Sequence, residues 1–169
     1  MLAALFIAVL PDGRAVVYDE IYENNLIVSV AARKIKEKLT DGMIVIAPAD
    51  LWSRSRDSGR STAEIFAQGG VFFTKLSPSR VDGWLALKEW LALRDGVPSL
   101  VIFGNCHNII RCLPLLQYDS AKTGDVSTEP HEITHAPDAL RYFASFCPFE
   151  AKKEEKYTLF RGKRQKRER

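Results

Sequence analysis

Cysteine is scarce: three residues, Cys106, Cys112 and Cys147, an odd number with no CxxC among them. That excludes a disulfide-built scaffold and a zinc ribbon, and fits a reducing, cytoplasmic compartment. Long hydrophobic runs are missing too. Leu2–Leu10 is apolar behind Met1, but it is far short of the roughly 20 residues a membrane span needs. It also lacks the basic n-region and small-residue cleavage site of a signal peptide, so it reads as a buried strand. No GxxxxGK[ST] occurs, which removes the P-loop means of gripping a nucleotide. There is no internal repeat.

What remains is an ordinary globular composition, with 46% hydrophobic and 27% charged residues over 169 positions, enough for one domain with a real core. The net charge of +3 hides an asymmetry. Residues 151–169 hold nine Lys or Arg against three Glu, so the preceding part is mildly acidic and the tail strongly basic. A domain over 1–150 with a disordered basic tail over 151–169 is the expected organisation, and such a tail suits nucleic acid through counterion release. A solvated chain end has the same composition.

Two β-type runs, Leu2–Leu10 and Arg14–Ile21, flank Pro11-Asp12-Gly13, a hairpin signal. Helical spacing predicts a helix over 27–39, and Met43–Ala47 reads as a short strand stopped by Pro48. Ser61 or Thr62 is placed to cap a helix over 63–68, with Gly69-Gly70 ending it and a strand over 71–74. A helix over 81–94 carries Trp84 and Trp90 as core residues; a strand over 100–103 and a helix over 106–117, broken at Pro114, follow. Strands alternating with helices predict an α/β domain with a mixed sheet.

The chemistry concentrates in two places. The run 129–143 packs two histidines and three carboxylates before an apolar helix, with Asp138 in its first turn and His135 three residues earlier. Ala139, Tyr142, Phe143 and Phe146 are expected to give that helix a buried face. The plainer alternative is an Asp that complements the helix dipole beside a capping His. The second place is Asp50, just past the Met43–Ala47 strand, where open α/β sheets bind ligands; a turn aspartate in a polar loop is the alternative. Arg54, Arg56 and Arg60 in that loop, and Lys75 and Arg80 in the basic stretch after the next strand, are the phosphate-contacting candidates. Two carboxylates with a histidine suit Mg²⁺ or Mn²⁺ better than zinc, so Asp50, His135 and Asp138 are expected to converge.

Ala47-Pro48-Ala49-Asp50-Leu51-Trp52, then Gly59-Arg60-Ser61 with Ala63-Glu64-Ile65-Phe66, and the closing run His131 to Tyr142 (HEITHAPDALRY) resemble the nuclease domain of the large terminase subunits of tailed phages. The likeness covers nearly all of 2–147. It implies an RNase H-like fold and a metal-dependent endonuclease that cuts concatemeric double-stranded DNA during packaging. It further implies Asp50 and Asp138 as catalytic metal ligands, with His135 beside them. The small terminase subunit, the portal and the ATPase domain of the large subunit are the implied partners. Two departures stand out. The ATPase motor has no counterpart here, and the strand bearing the family's first catalytic Asp would precede Leu2. The chain is therefore expected to be a fragment, inactive alone, with either a direct pairing of the hairpin with Met43–Ala47 or an open strand edge. A DNA-binding or assembly remnant, and another RNase H-like nuclease such as a junction resolvase, are the alternatives.

Overall fold

The apolar run after Met1 and the run after Gly13 form a hairpin, β1 (Leu2–Val9) and β2 (Ala15–Glu23), paired antiparallel. In the turn, Gly13 takes φ +88°, and the Asp12 carboxylate accepts the Arg14 backbone N–H at 3.0 Å and its Nε at 2.7 Å. The register slips between Phe6 and Ile7: Phe6 faces Asp19 but Ile7 faces Val17, so Tyr18 is an extra residue. That bulge changes which residues of β2 point to which face. Ala15 and Val17 enter one core, and Ile21, of the same parity, enters the other.

The computed structural model describes residues 1–56 and 59–149; the basic segment 151–169 lies outside them. After the hairpin come α1 (Val28–Lys38), β3 (Ile46–Pro48), a 3₁₀ turn over Ala49–Trp52, α2 (Thr62–Gln68) and β4 (Thr74–Leu76). Next are α3 (Arg80–Leu91), the short strands β5 (Leu93–Arg94) and β6 (Val97–Pro98), β7 (Leu100–Ile102) and α4 (His107–Cys112). Two 3₁₀ turns, Leu113–Leu115 and His131–Ile133, lead to α5 (His135–Phe146). The described residues thus form a mixed α/β fold with five helices, and its main sheet is itself mixed. β2 is central there, antiparallel to β1 and parallel to β7.

β3 and β4 form a separate parallel pair and do not join β1. Of the two expected arrangements for the hairpin, the open edge is the one present. Helices cover both faces of the hairpin. α3, α4 and α5 pack on one side around Trp84, Trp90, Ile109 and Leu140; α1 and α2 pack on the other around Phe6, Ala32, Ile35 and Phe66.

Local chemistry explains where boundaries differ from expectation. The 71–74 strand begins three residues later because the Val71 N–H closes back on the Phe66 carbonyl at 3.0 Å and Val71 is fully buried. The helix expected to reach Arg94 stops at Leu91, because Asp95-Gly96, with φ +51° and +78°, turns β5 back onto β6. Such a dipeptide favours a tight hairpin. Ser61 does cap α2, in a reciprocal box: its Oγ accepts the Glu64 N–H at 3.2 Å, and the Glu64 carboxylate accepts the Ser61 N–H at 2.9 Å. α4 is capped from a distance: the Glu20 carboxylate on β2 accepts the Asn108 and Ile109 N–H groups at 2.7 and 3.1 Å, as a charge at a helix N-terminus should.

Candidate functional site

α5 starts at His135 rather than at Pro137, so His135 and Asp138 stand one turn apart on one helix. The Asp138 N–H bonds the Thr134 carbonyl at 2.9 Å. The His131 and His135 rings meet edge to face, 4.3 Å between centroids. Burial holds the His135 pKa below its ordinary value; His131 and the Met1 α-amino group push the same way, and Asp138 opposes them.

Asp138 is held by arginines. Its Oδ1 accepts Arg141 Nε at 2.8 Å and Arg80 Nη1 at 3.4 Å. Arg141 is only 2% exposed, and its Nη1 is buried without a hydrogen-bond partner. Arg80 turns its remaining donors inward: Nε reaches both Asp125 oxygens at 3.2 and 3.3 Å, and Nη2 reaches the Val126 carbonyl at 3.1 Å. Trp84 Nε1 donates to the same Asp125 at 3.2 Å. Burial alone would raise the Asp125 pKa, but the Val126 N–H, Arg80 and Trp84 outweigh it and hold the carboxyl below its ordinary range. Two arginines and two aspartates thus form a charge-balanced knot linking α3, the 118–130 loop and α5. Arg80 is thus engaged by Asp125, Asp138 and the Val126 carbonyl, with its side chain 36% exposed.

Asp50 sits in the 3₁₀ turn that follows β3, exposed, with its carbonyl accepting the Ser53 N–H at 2.9 Å. Leu51 beside it and Ala139 beside Asp138 line one long apolar slot, but neither acid is among its lining residues. They do not complete a metal centre: among the described residues no group of three or more His, Cys, Asp or Glu is placed to hold an ion. The chemistry of the Asp138 neighbourhood agrees. An oxygen shared by two guanidiniums, in a knot of zero net charge, offers a divalent cation little attraction. The residues as arranged do not fit Mg²⁺ or Mn²⁺.

The other basic candidates gather at one end of the β3–β4 pair. Arg54, Arg56 and Arg60 are exposed in the loop after Asp50, and Arg54 lies 3.7 Å from the Glu64 carboxylate. The loop is closed by the Ser55 N–H on the Arg60 carbonyl at 2.9 Å. Lys75 on β4 is in register with Ala47, and its Nζ stands 5.6 Å from the Trp52 ring centroid. Residues missed in the sequence are Arg141 and Asp125, which fix Asp138 and Arg80. The first had a readable signal, an Asp–Arg pair at i,i+3 on one helix.

Cys106 is fully buried, its Sγ 3.7 Å from the Val17 carbonyl. Burial pushes its thiol pKa up, and Glu20 and Asp19 add to this, so it is an inert core residue. No described helix is long and apolar enough to cross a membrane. No family model, curated protein or solved structure matches the chain.

Proposed function

We infer that this chain is an RNase H-like domain of the terminase nuclease kind, that it binds double-stranded DNA, and that in its present arrangement it does not cut. The observation that carries the reading is the common end of the parallel β3–β4 pair. Asp50 follows β3 there, Arg54, Arg56 and Arg60 are exposed in the next loop, and Lys75 stands over Trp52. The carboxyl ends of parallel strands are where α/β sheets take ligands, and exposed arginines with a lysine match a phosphate backbone. The loss of cutting follows from Asp138, whose Oδ1 is engaged by Arg80 and Arg141. A metal-dependent endonuclease would need that carboxylate released and joined to Asp50. The small terminase subunit, the portal and an ATPase domain of the large subunit are the assembly partners this reading implies.

The test uses the intact chain with a fluorescent DNA duplex, a four-way junction and supercoiled plasmid. The expected result is salt-sensitive duplex binding and no nicking with Mg²⁺ or Mn²⁺. Nicking that requires Mn²⁺ and is lost in Asp50→Asn would restore the endonuclease reading. Selective binding of the junction would point to a resolvase, and no DNA binding at low salt would remove all three.

A further inference from the structure

The chain has three tryptophans, and the fold accounts for two of them. Trp84 and Trp90 are 5% and 2% exposed and belong to the core under α3, α4 and α5. Each indole N–H has an acceptor: the Asp125 carboxylate at 3.2 Å for Trp84, the Cys147 carbonyl at 2.8 Å for Trp90. Trp52 is different. It closes the 3₁₀ turn after β3, two residues past Asp50, is half-buried, and is part of neither core. Among the described residues its indole N–H donates to no acceptor. A large ring with a polar edge, left over by the core, is a common contact element of binding surfaces.

Three features say what this ring receives. The first is its support. Aromatic rings step outward from the core: buried Phe66 meets Phe73 at 4.9 Å between centroids, and Phe73 meets Trp52 at 6.4 Å, both edge to face. An aromatic anchor of this kind loses little conformational freedom on binding. The second is its present occupant. Lys75, exposed on β4, holds its Nζ 5.6 Å from the indole centroid. A solvated ammonium on an exposed ring is a weak contact, and the stacking of a nucleobase on an aromatic side chain is a stronger one. A base can therefore take the ring and leave the ammonium to a phosphate. The third is charge. Arg54, Arg56 and Arg60 follow in the same loop, all exposed. A planar ring beside three guanidiniums and an ammonium suits a ligand that is planar, apolar and anionic together. A closed duplex offers the anionic part alone, because its bases are stacked inside; an unpaired nucleotide offers both.

We propose that Trp52 is a stacking platform for an unpaired nucleobase. The loop after β3 then prefers DNA whose pairing is interrupted, at an overhang, flap or frayed end, over a closed duplex. This inference rests on the DNA-binding reading above and specifies which part of the DNA the site takes.

The experiment titrates the intact chain with three labelled probes. The first is a blunt duplex. The second is the same duplex with a short thymidine overhang, and the third carries an abasic overhang of the same length and charge. The expected result is binding of the thymidine overhang roughly tenfold tighter than of the abasic one, with quenching of indole fluorescence. Trp52→Ala should remove that difference while keeping blunt-duplex affinity and a cooperative melt. Trp52→Phe should keep most of it. Replacing the three arginines by Ala should weaken all three probes alike. Thymidine monophosphate, which carries the same base and a phosphate, should compete only at far higher concentration. Equal affinity for the two overhangs, a preference that survives Trp52→Ala, or competition by the mononucleotide as strong as by the overhang overturns the proposal and leaves the DNA-binding reading standing. Failure to bind any of the three probes removes that reading and this inference with it.

Discussion

The two cores of this domain are built from similar residues and end up differently. Under α3, α4 and α5 the core is closed: Ile109, Leu140, Cys106 and Ala144 have no exposed surface, and Trp90 is 2% exposed. Between β1, α1 and β3 the apolar surface opens into the slot, and α5 serves both. Its Leu140 is sealed while Tyr142 on the same helix is only half-buried and Phe146 is 39% exposed. The difference lies in strand pairing and not in composition. Among the described residues β2 has a strand neighbour on each edge, whereas β1 has one. Side-chain hydrophobicity gathers the helices on the hairpin, but closing the layer requires a backbone partner in every lane.

Substitutions on the two faces of α5 should separate these regions most widely. Leu140→Ala, in the closed core, should cost about 2–5 kcal/mol in urea denaturation, through lost burial and a residual cavity. Tyr142→Ala, on the slot side, should cost less than about 1 kcal/mol, because water already reaches that face. Equal losses would mean the slot is as tightly packed as the core.

The arginine–aspartate knot comes next in size. Asp125→Asn should destabilise by about 1–3 kcal/mol near neutral pH, since it weakens the acceptor of Arg80, Trp84 and the Val126 N–H. The sign of the pH dependence follows from the direction of the shift. The Asp125 pKa is lowered from 3.8 in the fold, so its stabilisation is present above that value and is lost as pH falls through the native one. The gap between wild type and Asp125→Asn should therefore narrow in acid; a gap independent of pH would remove Asp125 from this role.

At the head of α5 the effect is smaller and has a different window. The native pKa of His135 lies below 6.5, so the unfolded chain binds the proton first. Stability should fall as pH drops from about 6.5 through the native value, and His135→Gln should flatten that slope. His131, the Met1 amine and Asp138 all act on this imidazole, so His131→Gln should move the transition toward the ordinary value. An unchanged slope in His135→Gln would rule out titration of this group.

The smallest effect on stability and the clearest on binding belongs to the loop after β3. Replacing Arg54, Arg56 and Arg60 by Ala should leave the melting temperature nearly unchanged, since all three are exposed. If each meets one phosphate, the slope of log K against log salt should fall by about 2.7, at 0.9 per contact. A slope that changes only when 151–169 is deleted would place the DNA contacts in that basic segment instead.

Much of this was readable in the chain. Pro11-Asp12-Gly13 announced the hairpin, Ser61 and Glu64 the box that starts α2, and helical spacing the burial of Trp84. Asp95-Gly96 is an equally local signal: its turn into β6 keeps α3 from running on to Arg94. What could not be read was long-range. Nothing near Arg80 in sequence says that Asp125 and Asp138 will take its guanidinium, and nothing near Asn108 says that Glu20 will cap it. The site shows the same limit. His135 and Asp138 stand together because one helix fixes their spacing, whereas Asp50 lies in the turn after β3, and only tertiary packing sets its place relative to them.

The central claim is that β1, apolar on both faces, is paired along one edge alone, by β2, among the described residues. Residue-by-residue hydrogen exchange on the intact, monomeric chain tests it most directly. In an antiparallel pair alternate amides of a strand point toward its partner. The account predicts that every second amide between Leu2 and Val9, those bonded to β2, is protected as well as the rest of the main sheet. The intervening amides, which face the slot, should exchange orders of magnitude faster. Uniform protection along β1 in the monomer would mean that the lane beside it is already filled, and would contradict the account.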